Sequence, residues 1–158
     1  MRMSLVELGL YGLAALLLVA ALARNASREA RAVFRASWTL TPGVVNPAVS
    51  PRTLRATICR RGWTRTIRPP VSYTNDLKRR GLRAYGLRGP PSAYQEDHLI
   101  SLELGGHPTD PRNLWPEPYP RASEVDRIEN ELNALVCAGR ITLAEAQRRE
   151  SALKHADG

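Results

Sequence analysis

Apolar and polar positions alternate in different rhythms along the 158 residues, and each rhythm predicts a different element. From Tyr94 to Leu104 the pattern reads as a strand, and Gly105-Gly106-His107-Pro108 forces a turn. The following "RNLW" is a short return strand or a loop leading into a helix. Val125, Ile128, Leu132 and Leu135 then recur at helical spacing until Gly139. Ser123 with Asp126 three residues on resembles a capping box at the start of that helix, and Thr142 with Glu145 repeats the device before a last helix to about Lys154. Upstream, "TPGVVNPAVSPRT" has three prolines in thirteen residues and predicts extended or turned chain. "LRATICRRGWTRTIRPP" is rich in β-branched and aromatic residues, which predicts one or two short strands around Gly62. "SYTNDLKRRGL" predicts a short helix capped by Thr74 or Asn75 and stopped by Gly81. The sum is a single α+β domain from residue 41 to 158, without internal repeats.

The beginning of the chain is different. Leu8 to Ala23 holds sixteen uncharged residues, roughly 24 Å of helix, against a hydrocarbon core of about 30 Å. Arg2 before it and Ala21-Leu22-Ala23 at its end predict a secretory signal. Arg24, Arg28, Arg31 and Arg35 after it predict a cytoplasmic flank and hence an uncleaved anchor. Residues 1–23 are thus a signal peptide, a membrane anchor or an ordinary buried helix, with membrane association possible through residues 5–23, and residues 24–40 are a linker. The domain is secreted, extracytoplasmic or membrane-anchored, with a cytoplasmic location as the alternative.

Charge narrows the partner. The net charge is +8, but it is divided unevenly. Arg52 to Arg88 carries eleven basic residues against Asp76 alone, whereas Glu96 to the end carries twelve acids against seven bases. The first half attracts a polyanion, and the second supplies carboxylates of the kind that a metal site uses. Lys78, Arg79, Arg80 and Arg112 are candidates for phosphate contact, with Trp63, Tyr73 and Tyr85 interleaved as in a nucleic-acid groove. Nucleic acid is the expected partner, DNA before RNA. Two cysteines, Cys59 and Cys137, exclude a four-cysteine zinc cage. They are free thiols in a reducing compartment or a disulfide in an exported domain.

A phosphodiester resists hydrolysis because its anionic oxygens repel hydroxide and its alkoxide leaves poorly. A general base and a divalent cation overcome both obstacles. His98 fits the first role, with an ordinary pKa of about 6.5, so activity is expected to fall below about pH 6. Asp97 fits as a ligand for a cation. Asn113 would hold the imidazole through its amide or ligate the ion. Such oxygen donors favour a hard ion, Mg2+ first. Neighbouring strand residues point to opposite faces, so Asp97 and His98 serve one site only where the strand ends, twists or bulges.

"EDHLISLELGGHPTDPRNLWPE" resembles the HNH endonucleases of the ββα-metal type. The resemblance extends to "TPG", "TIC", "GW", "RPP" and "YTNDLK" upstream and to "DRIENELNALVCAG" and "LAEAQ" downstream, about Thr41 to Arg149. It is strongest to a small bacterial branch with two cysteines and no zinc ribbon. It implies a hairpin-plus-helix core with additional helices and short strands around one divalent ion, Mg2+ or else Mn2+, Ni2+ or Zn2+. It also implies an endonuclease in which His98 is the general base, Asp97 a metal ligand and Asn113 the asparagine of the motif. The last histidine of the motif falls at Asn133, which becomes the second metal ligand, with Glu129 one turn earlier able to compensate. Ser101 stands where that family commonly has a proline, and its closing tryptophan is missing. A nucleic-acid-binding module that keeps the scaffold without catalysis is the alternative, and a membrane-surface protein is a third reading.

Overall fold

The computed structural model describes Ala14, residues 16–22 and residues 35–157. Two compact units divide the chain, Met1–Val33 and Phe34–Gly158. In the first, Ala14 and residues 16–22 are helical and exposed. Among the described residues no helix is long and apolar enough to cross a membrane. The rest of the expected signal or anchor, and Arg24, Arg28 and Arg31, lie outside the described residues.

The second unit is α+β. Its helices are α1 (Trp63–Ile67), α2 (Val71–Ala84), α3 (Arg121–Cys137) and α4 (Leu143–Ala156), and its strands are β1 (Tyr94–His98) and β2 (Leu114–Pro118). The strands pair antiparallel, with Tyr94 opposite Pro118 and His98 opposite Leu114. A sheet of two strands has only edges, which is why β2 tolerates Pro116 and Pro118. α2 packs on β2. Gly81 does not stop that helix but lies inside it, where a Cβ would come within 2.9 Å of the Pro116 ring. The helix starts earlier than expected, after Pro70, because Pro69 and Pro70 hold the chain extended up to that point. Thr74 and Asn75 are interior, and the Thr74 hydroxyl donates back to Val71 O.

No strand forms in residues 54–67. A 3-10 turn at Leu54–Ala56 and α1 stand there instead. The cause is local bonding: the Thr57 hydroxyl donates to Thr53 O, and Cys59 N to Leu54 O, closing turns that a ladder would have to break. Cys59 and Cys137 form a disulfide across 78 residues of sequence. It lies beside a core of Val49, Ile58, Ile100, Leu104, Leu132, Val136, Leu143 and Ala146. A second cluster joins Ala36, Leu99 and Trp115.

The domain begins before residue 41. Ala36 N donates to Lys154 O, and the Trp38 ring stacks on His155 at 3.5 Å. Residues 35–40 therefore belong to the folded unit and not to a linker. α3 starts at Arg121, so Ser123 lies within its first turn and caps nothing. Thr142 is the N-cap expected, its hydroxyl accepting from Glu145 N at 3.1 Å.

Candidate catalytic cleft

β1 ends at His98, and there the alternation of faces stops constraining the chain. Asp97 and His98 consequently line one cleft of about 250 Å³, together with Arg68 from the end of α1 and Asp126, Glu129 and Asn130 from α3. The hairpin and α3 thus meet with the two expected residues between them.

His98 is buried, and its Nε2 lies 3.1 Å from Pro108 O. A carbonyl only accepts, so Nε2 carries the hydrogen and a neutral ring has its lone pair on Nδ1. Burial lowers the His98 pKa from its ordinary value, against the pull of the neighbouring Asp97 carboxylate. The ring is therefore a neutral base with a fixed tautomer.

Beneath it lies a buried charge cluster. The Lys154 ammonium donates to Asp97 Oδ2 at 2.8 Å, to Glu129 Oε1 at 2.7 Å and to His98 O at 2.6 Å. Those three bonds use all three of its protons. A Glu150 oxygen stands 3.5 Å away, and both Glu150 oxygens accept from Ser101 N. Burial alone would raise the Asp97 pKa, but Lys154 beside it holds the group well below the usual carboxylate range. Burial lifts Glu129 and Glu150 despite the same lysine. Burial and the Asp97 charge push Glu117 up to about 9. As a charged group Glu117 would leave both oxygens without a partner. Protonated, it donates to Asp97 and leaves one of its buried oxygens without a partner instead of two.

Asn113 is completely buried but does not touch the imidazole, contrary to expectation. Its Oδ1 accepts from Val44 N and Ile100 N, and its Nδ2 donates to Ile100 O and His107 O. It fixes the backbone at Val44, Ile100 and His107, and the His107–Pro108 segment carries that order to the ring. Gly106 belongs to this arrangement: a Cβ there would lie 1.7 Å from Ile100 O and 2.8 Å from Asn113 Nδ2. Its role is close approach, not turn dihedrals alone.

Asn133 does not line the cleft. It sits one turn beyond Glu129, and its Nδ2 donates to Glu103 O at 2.7 Å and Ile58 O at 3.3 Å. Glu129 does line the cleft, where it pairs with Lys154. The basic candidates also lie elsewhere. Lys78 Nζ donates to Tyr94 O, Arg79 pairs with Asp76, Arg112 pairs with Asp110, and Arg80 borders an apolar groove beside Glu96. The guanidinium lining the cleft is Arg68, whose sequence signal was the "RPP" that stiffens the chain after it. Lys154 and Glu150 carried only an ordinary i,i+4 spacing on an amphipathic helix.

The expected divalent ion does not fit the residues as they stand. Among the described residues no three His, Cys, Asp or Glu side chains are grouped to hold one, and the Asp97 and Glu129 oxygens that converge on a cation converge on an ammonium. Comparisons of the chain with protein-family models, with curated proteins and with solved structures each found no match.

Proposed function

We propose that the cleft hydrolyses phosphodiester bonds in nucleic acid, DNA before RNA, with His98 as the general base. The observation that carries this reading is the Nε2 bond to Pro108 O, which leaves the Nδ1 lone pair for a water in a cleft that Arg68 also lines. Water gives one proton to Nδ1 as its oxygen bonds to phosphorus, the bond to the 3'-oxygen breaks, the departing 3'-oxygen takes a proton from solvent water, and the imidazolium then returns its proton to solvent. The products carry 5'-phosphate and 3'-hydroxyl ends. Arg68 pairs with the anionic phosphate oxygens, and the arginine-rich segment from Arg52 to Arg88 draws the polyanion in. The Cys59–Cys137 disulfide supports an extracytoplasmic domain.

His98→Ala tests the reading. Plasmid cleavage is expected to fall by about 100-fold or more, the ordinary contribution of a general base, while DNA binding in a filter assay stays unchanged. Cleavage at the wild-type rate would overturn it. One observation favours the second reading, a non-catalytic nucleic-acid-binding module on the same scaffold: the Lys154 ammonium already pairs with an oxygen of both Asp97 and Glu129. Wild-type protein that binds DNA and never cuts it would establish that reading.

A further inference from the structure

We propose that Lys154 is the resident cation of this cleft, its ammonium holding the place between Asp97 and Glu129 that a divalent ion would take, so that this chain binds no such ion there. Two carboxylate oxygens and the His98 carbonyl oxygen surround Nζ at 2.6–2.8 Å, a hard-oxygen set of the kind that Mg2+ or Mn2+ selects. The set is saturated, because the ammonium has three protons and all are donated. The lysine cannot step aside into water. Its side chain has no exposed surface, and its own carbonyl oxygen accepts from Ala36 N, pinning that turn of α4 to the start of the domain. An incoming ion would have to leave this ammonium buried without partners, beside the new positive charge. Glu150, with an oxygen 3.5 Å from Nζ, adds to the hold.

The claim concerns binding and is independent of whether the chain cleaves nucleic acid. Its test is titration of the full chain with Mn2+, counting free ion by electron paramagnetic resonance. The wild-type protein is expected to leave the free-ion signal untouched, a Kd weaker than about 1 mM. Uptake of one Mn2+ that Asp97→Asn abolishes would overturn the proposal, whereas uptake that Asp97→Asn leaves intact lies elsewhere and upholds it. Lys154→Ala, checked for folding by circular dichroism, vacates the oxygen set and is expected to gain one Mn2+, lost again on adding Asp97→Asn. A folded Lys154→Ala protein indifferent to Mn2+ would also overturn it. If that variant does not fold, the wild-type titration decides alone.

Discussion

His98 shows how much one residue's neighbours alter its chemistry. The sequence makes it a base with an ordinary imidazole pKa, and burial lowers that value. Cleavage is therefore expected to persist below pH 6.5 and to fall only at a lower pH. A rate–pH profile with its midpoint at or above the ordinary imidazole value would contradict this. Stability follows the same sign. Between the lowered folded value and the unfolded one of about 6.5, the unfolded chain binds a proton that the folded chain does not, so this group's contribution falls as pH falls through that window. Asp97, His98 and Glu129 were legible because each carries a chemically distinctive group at a readable spacing. The true work of Asn113 was not, because its partners are backbone atoms brought together only by folding. Lys154 was hidden for a related reason: a lysine on an amphipathic helix ordinarily faces water, and only the packing of α4 on α3 and the 102–104 turn places it against carboxylates from other elements.

Among the elements, local rules held where nothing distant competed with them. Thr142 caps α4 as its spacing with Glu145 predicts. Thr142→Ala is expected to lower stability by about 1 kcal/mol, read from urea denaturation, and a change indistinguishable from zero would mean that the hydroxyl bond contributes nothing. Ser123 has the same local signature, yet the chain from the β2 end through Pro120 sets α3 going three residues earlier. Residues 54–67 failed the strand expectation because β propensity describes a pleated surface with neighbours to pack on. That segment has no partner strand among the described residues and closes turns on itself. The hairpin was readable in outline, but β1 stops at His98 where apolar spacing suggested strand to Leu104. Residues 102–104 form a 3-10 turn with Leu102 and Leu104 buried. Alternating apolar positions do not distinguish that turn from a strand.

At the scale of the whole domain, the disulfide joins the basic first half to the far end of α3. Closing a loop of that length stabilises by about 4 to 5 kcal/mol in the chain-entropy model. Reduction, or Cys59→Ala with Cys137→Ala, is expected to shift the denaturation midpoint downward accordingly. Equal midpoints with and without reductant would show that the bond constrains nothing. The bond also restrains the stretch that leads into α1, at whose end Arg68 reaches the cleft, so polyanion attraction and the candidate chemistry share one framework.

Lys154 joins side chains from β1, α3 and α4 at one atom. Positions 97, 129, 150 and 154 therefore form a unit of inheritance. A lineage that exchanges the lysine for a neutral residue is left with surplus buried acid, and one that exchanges Asp97 or Glu129 leaves a buried ammonium proton without its acceptor. Such changes survive together or with a replacement partner, so divergence at these four sites should proceed by paired steps while the exposed arginines drift singly.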